Sequence, residues 1–335
     1  MRCRPAITSM SLGRAWVHDL EEKLREAAQA GFQGLEVFYE DLEYLAKKDG
    51  QEVTPETLIR AAEQIRTLCD GLNLTIIGLQ PFLFYEGLID REEHAAKIEK
   101  LKTWFKIVTA LGTDVIQIPS NFQRGGISGD MDLIVQDMRE VADLGLKEDP
   151  PVRFAYENLA WGTYVDTWEK LWEIVSRVDR PNFGCCLDTF NIAGRVWADP
   201  AKPSGKTANA DEDLKASLER LVKTVDLKKV FYVQVVDAEK MDPPLTQDHP
   251  FHVDGQPSRM SWSRNARLYL YEEEKGGYLP VVEVARVFLK ELGFEGWVSM
   301  ELFSRTMSDP DPSIPHTHAQ RGIKAWKKLA QELSL

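Results

Sequence analysis

Short runs of consecutive apolar residues alternate along this chain with segments whose apolar positions recur every three or four residues. The runs, such as VIQIP and FGCCL, read as strands covered on both faces, and the periodic segments as amphipathic helices. Strands are predicted over residues 6–12, 34–40, 74–82, 114–121, 153–161, 183–191, 230–237 and 297–303. Helices are predicted over 19–30, 55–72, 91–111, 130–146, 165–178, 211–225, 280–292 and 320–333. Thr54 and Pro55 mark a helix start and Gly112 a helix end. Eight strand-then-helix units predict an α/β chain folded as one closed (β/α)8 barrel over residues 1–335. An open doubly wound sheet, the alternative, would want a glycine-rich turn after the first strand. The turn here is SLGRAW, and the chain carries no Walker sequence.

Four of the later strands end on a polar residue: Glu157, Asp188, Gln234 and Glu301. A charge closing an apolar run is costly unless it is paired or bound to a cation. On adjacent strands the four would share one arc of the barrel mouth. Any one of them could simply cap its strand or bond a neighbouring loop; all four at equivalent positions favour a metal site. The donors are all oxygen, which suits Mg²⁺ or Mn²⁺ better than Zn²⁺, with Co²⁺ also admissible. A cation there would act as a Lewis acid on a ketone and favour removal of the neighbouring proton.

Other residues are open to a role at the same mouth. Glu36 alternates with apolar residues and could be a base, a substrate contact or a buried structural carboxylate. Gln80 and Gln117 end the third and fourth strands, and Tyr85 lies just beyond the third. The connection over residues 238–278 is long, and long ordered loops in compact domains tend to be functional. It carries Arg259, Ser261 and Arg264 in SRMSWSRNAR, suited to clamping a substrate carboxylate. The bland reading of each arginine is a solvated surface residue. Arg195 is a weaker candidate for the same role. His249 and His252, in the same loop, are open to a catalytic role. His94, in DREEH, reads as a surface residue, and His316 and His318 as loop residues.

The formal net charge of −12 argues against a nucleic-acid surface, and no apolar run is long enough to span a membrane. No apolar signal region precedes the first strand. The four cysteines form no C-x-x-C pair, so reduced thiols in the cytoplasm are expected, with Cys185 and Cys186 facing opposite sides of a strand. The oligomeric state stays open between monomer and homo-oligomer.

The stretches AITSMSLGR, GLEVFYEDL, LQPF, DTFNIAGRV, KVFYVQVVDAEK, RMSWSRN and GFEGWVSMELF resemble the fungal-type catabolic 3-dehydroshikimate dehydratases. The wider relatives are the xylose isomerase-like and sugar-phosphate isomerase/epimerase barrels. The resemblance covers nearly the whole chain, to about residue 307. It implies a (β/α)8 hydro-lyase that converts 3-dehydroshikimate, a small carboxylate, to protocatechuate in quinate and shikimate catabolism. It also implies a divalent cation held at the positions of Glu157, Asp188, Gln234 and Glu301, with glutamine where many relatives have histidine. Two departures stand out. Relatives often carry Asp-x-x-His after the sixth strand or Glu-x-His after the fifth. This chain has Asn191 and Leu159 there. The base therefore stays open between Glu36, a loop histidine and hydroxide on the cation. Competing readings are a sugar or inositol isomerase on the same barrel, a DNA-repair endonuclease, which would want more histidines and a basic face, and a non-enzymatic binding module.

Overall fold

The computed structural model describes residues 3–335. Eight parallel strands close into a barrel: β1 (Arg4–Thr8), β2 (Gly34–Phe38), β3 (Thr75–Gln80), β4 (Val115–Pro119), β5 (Arg153–Glu157), β6 (Phe183–Asp188), β7 (Val230–Gln234) and the last strand, β10 (Trp297–Met300), which pairs with both β7 and β1. The predicted barrel is the observed one. Its main outer helices are α1 (Leu20–Ala30), α3 (Pro55–Gly71), α4 (Arg91–Leu111), α5 (Met131–Gly145), α6 (Trp168–Val178), α8 (Ala210–Thr224), α10 (Val281–Arg286) and α11 (Ile314–Leu333). Their starts are chemically marked. Asp19, Asp90, Asp130 and Thr167 each accept a first-turn N–H, and Thr54 and Thr57 form a reciprocal capping box.

The buried apolar residues separate into two groups. A large shell packs the outward strand faces against the helices. A small group, Ala6, Ile77, Val115, Ala155, Cys186 and Tyr232, comes from six different strands and fills the barrel interior. Adjacent Cys185 and Cys186 fall in different groups, as the two-residue period of a strand requires. Two residues on from five of these interior positions stand Thr8, Gln117, Glu157, Asp188 and Gln234, all buried. The interior is thus apolar below and polar at the C-terminal mouth.

Three local differences from the sequence reading matter for the site. Helix α2 (Tyr39–Ala46) and helix α7 (Thr189–Val196) follow β2 and β6 without a loop. For α7 the cause is visible: the carboxylate of Asp188 accepts the N–H of Phe190 (2.8 Å), so the strand's last residue is also the helix cap. The long 238–278 connection is ordered around helix α9 (Ser258–Ala266) and a two-residue antiparallel ladder, β8 (Asp237–Ala238) with β9 (Arg267–Leu268). Helix α11 begins at Ile314, earlier than expected, and takes His316 and His318 out of a loop. His318 is buried between the Ser11 carbonyl (2.7 Å) and Thr306 Oγ1 (3.0 Å), and burial lowers its pKa to about 4. His94 is likewise buried, with Nε2 2.7 Å from Glu140, because α4 turns that face toward α5. No helix among the described residues is long and apolar enough to cross a membrane.

One ion pair is sealed inside the shell. Lys23 of α1 bonds Asp41 of α2 and the carbonyl of Gly13 (2.7 Å), and neither side chain meets solvent. Removing one partner of such a pair strands the other charge, at a cost of about 3–5 kcal/mol. Lys23→Met is expected to lower unfolding stability by that amount in denaturant titrations; a loss under about 1 kcal/mol would show the pair to be dispensable.

Candidate active site

Glu157 ends β5, Asp188 ends β6, Gln234 ends β7, and Glu301 lies one residue past β10. Register places Gln234 beside Asp188 on one side and beside Ser299 on the other. Carboxylate oxygens of Glu157, Asp188 and Glu301 lie within 4.8 Å of one another, and all three residues are buried. A fourth buried carboxylate, Glu36 of β2, sits next to them. It accepts from Gln80 Nε2 (2.7 Å), Thr8 Oγ1 (3.2 Å) and Gln234 Nε2 (3.1 and 3.2 Å).

One guanidinium enters this group. Arg267 Nη1 donates to Asp188 Oδ2 (2.9 Å) and to Glu301 Oε2 (3.0 Å), while its Nε donates to Ser263 Oγ (2.9 Å). The guanidinium lies over the rings of Phe190 and Phe303, 4.3 and 5.0 Å from their centroids. Asn191, one turn into α7, donates to Glu157 Oε1 (2.8 Å) and Asp188 Oδ2 (2.9 Å) and bridges the two. Gln117 donates to the other oxygen of Glu157.

Negative charge still exceeds positive. Burial pushes the carboxyl pKa of Glu157, Asp188, Glu301 and Glu36 upward; Glu157 is raised further by its acidic neighbours, and Glu301 reaches about 8 despite Arg267. Such a group is relieved by protons or by a cation. The donors suit a hard divalent ion: three carboxylates of one small cluster, and the Oε1 of Gln234, a buried oxygen with no hydrogen-bond partner among the described residues. On this chemistry Glu157, Asp188, Gln234 and Glu301 could hold a divalent cation.

Above the cluster opens a cavity of about 130 Å³. Phe38, Pro81, Phe122, Trp161 and Phe303 form much of its wall, and Gln80, Gln117, Glu157, Arg264, Arg267 and Glu301 supply polar groups. Arg264 donates to Gln256 Oε1 (3.2 Å) and makes no ion pair among the described residues. The structure therefore gathers Gln80, Gln117, Glu157, Arg264 and Glu301 at one cavity, with Asp188 and Gln234 in the cluster beneath it.

Other nominated residues lie elsewhere. Arg259 donates to the carbonyls of Gly194 (2.8 Å) and Ala198 (2.6 Å), capping the acceptors left open at the end of α7. Ser261 is buried and accepts from Gln256 (2.7 Å). His252 pairs with the exposed Asp254 (3.1 Å), outside the cavity wall. Tyr85 donates to the Asp137 carbonyl (2.9 Å), and Arg195 pairs with Asp166. Arg267 was missed. Its signal was its place four residues after Ser263 in SRNAR, the spacing at which the two side chains meet.

A (β/α)8 barrel with buried carboxylates, an amide and a guanidinium at its C-terminal mouth has the layout of a barrel enzyme. The chain belongs to the xylose isomerase-like TIM barrel family, whose model matches residues 24–329. It is 51% identical over its full length to the 3-dehydroshikimate dehydratase of Neurospora crassa, covering 96% of that protein. It is 30% identical to the 3-dehydroshikimate dehydratase of Pseudomonas aeruginosa over 85% of this chain, which corresponds to 36% of that longer protein. Among solved structures, a xylose isomerase-like TIM barrel/4-hydroxyphenylpyruvate dioxygenase fusion protein superposes with a TM-score of 0.74 at 25% identity, over 98% of this chain and 43% of that one.

The raised carboxyl pKa values fix the sign of a pH effect. Between the ordinary value of 4.5 and about 8, Glu301 keeps its proton in the folded state and loses it in the unfolded one. Metal-free protein therefore loses stability as pH rises through that window. A cation competes with protons for the same oxygens. The gain in Tm on adding Mn²⁺ to chelator-stripped protein is expected to grow from about pH 6 to about pH 8. A gain that is flat or shrinks in melts across that range would separate the cation from these carboxylates.

Proposed function

We propose that this protein is a 3-dehydroshikimate dehydratase, a carbon–oxygen lyase that forms protocatechuate and water. The observation that carries this reading is the pairing, in one cavity, of a buried oxygen-donor floor with an arginine that has no counter-ion on its wall. The full-length match to the Neurospora crassa dehydratase supports the substrate. Four free, buried cysteines suit a reducing cytoplasm, where we place the enzyme.

In this reading Glu157, Asp188, Gln234 and Glu301 hold a divalent cation, Mg²⁺ or Mn²⁺, which supplies Lewis-acid polarisation of the substrate ketone. Arg264 binds the substrate carboxylate. Phe38, Phe122, Trp161 and Phe303 enclose the substrate ring and keep water from it. Gln117 Oε1 and Trp161 Nε1, both buried without a partner among the described residues, are available to ring hydroxyls. Asn191 and Gln117 hold Glu157, and Arg267 holds Asp188 and Glu301, so the floor is fixed before substrate arrives. The reaction removes the hydrogen on the hydroxyl-bearing carbon next to the ketone and expels the hydroxyl one carbon further on as water. Loss of one more ring hydrogen to the ketone oxygen completes the aromatic diol. Aromatisation makes the sequence downhill, so the first proton transfer is where catalysis is needed.

Purified protein given 3-dehydroshikimate is expected to form an ultraviolet-absorbing product, to stop when a chelator is added and to recover with Mn²⁺ or Mg²⁺. An isomerised ketone with no such product would move the assignment to an isomerase. Glu157→Gln and Asp188→Asn are expected to lose both activity and metal retention; near-normal turnover with metal still bound would remove them from the ligand set. Arg264→Ala is expected to raise KM for the acid about ten-fold or more with a smaller change in kcat. An equal loss with a neutral analogue would rule out the carboxylate contact.

A further inference from the structure

We infer that Glu36 is a positioning residue: it sets which end of the Gln234 side-chain amide faces the carboxylate cluster. This role presupposes that Gln234 is a cation ligand, as proposed above. A side-chain amide has an oxygen that can bind a cation and an amino group that cannot. Its terminal torsion is broad and nearly two-fold, so the surroundings must choose between the two orientations. Here they do. Gln234 Nε2 lies 3.2 and 3.1 Å from the two oxygens of Glu36, while Oε1 is buried with no partner among the described residues. An amide turned the other way would bring two oxygens together at Glu36 and put the amino group where Oε1 now lies buried.

Glu36 is built for this task. It comes from β2, on the opposite side of the lumen opening from β6, and its side chain is almost wholly enclosed. Thr8 Oγ1 (3.2 Å) and Gln80 Nε2 (2.7 Å) hold it from the neighbouring strands on either side. It is absent from the cavity wall, whereas a general base needs its heavy atom within about 2.6–3.2 Å of the atom whose proton it removes. In the structure its two oxygens act as acceptors for Thr8, Gln80 and Gln234 together. A glutamine at the same place would bring an amino group of its own and leave the Gln234 orientation unassigned.

The test is a double-mutant cycle read on metal binding, with no substrate present. Chelator-stripped parent, E36Q, Q234L and E36Q/Q234L are titrated with Mn²⁺ and free ion is read by electron paramagnetic resonance, after far-UV circular dichroism confirms the fold. Expected are a Kd about 10–100-fold weaker in E36Q, a comparable weakening in Q234L, and a double variant no weaker than Q234L. Parent-like binding in E36Q overturns the inference, as does a double variant in which the two losses add. If Q234L itself binds as the parent does, the ligand reading of Gln234 fails, and that result is distinct from a failure of E36Q alone. E36D keeps an acceptor but draws it back, and is expected to bind more tightly than E36Q; affinity no better than E36Q would also overturn the role. Should E36Q not fold, the cycle is run with E36D, where non-additivity with Q234L supports the role and additivity overturns it.

Discussion

Four carboxylates crowd the mouth of this barrel, and the guanidinium of Arg267 is the charge that answers them. That imbalance organises what surrounds it. Each carboxylate is held by fixed donors: Asn191 and Gln117 on Glu157, the Phe190 N–H and Asn191 on Asp188, Arg267 on Glu301, and two amides and a threonine on Glu36. The donors do not neutralise the group. They orient it, with both oxygens of Glu157 and both of Asp188 held in place. Buried charges arranged only for stability would be matched one to one, as Lys23 and Asp41 are in the shell.

The segment after β7 makes that arrangement possible. Arg267 reaches the cluster because β9 pairs with β8, directly beyond β7, and α9 leads into it. The segment is tied down at several points: Arg259 on the α7 carbonyls, the Trp262 indole on the Glu239 carbonyl (2.8 Å), and Ser263 on Arg267. Arg259 therefore serves the site at a distance. It locks α9 to α7, and α7 starts at Asp188, so one helix end fixes a floor carboxylate and the other anchors the piece that carries its counter-ion.

The barrel and its floor were legible in the sequence because both follow from short-range regularities. Continuous apolar runs closing on Glu157, Asp188, Gln234 and Glu301 expose the strands and the polar mouth at once. The roles of Arg259, Arg264 and Arg267 were not separable there. All three lie in one irregular stretch with the same chemistry, and only the turn of α9 decides that Arg264 meets the cavity, Arg267 the carboxylates and Arg259 a helix end. His252 illustrates the same limit: nothing in its neighbours indicates that it bonds Asp254 at an exposed position. His94, which reads as a surface residue, and His318, which reads as a loop residue, are both buried, and their partners, Glu140, Ser11 and Thr306, come from elsewhere in the chain.

Asn191 shows how the departure from relatives with Asp-x-x-His is absorbed. Its amide spans Glu157 and Asp188 with two donated hydrogen bonds, while its oxygen accepts the Ala160 N–H (2.9 Å). Every polar atom of this side chain is thus spent on holding the floor together, and none is free to take a proton. An imidazole could not make the same double donation from one nitrogen. The amide at 191 and the amide at 234 are therefore parallel solutions. In each, an uncharged side chain with fixed polarity turns its amino group to a carboxylate, and what its oxygen meets, a backbone N–H at Asn191 and no donor among the described residues at Gln234, sets the two amides apart.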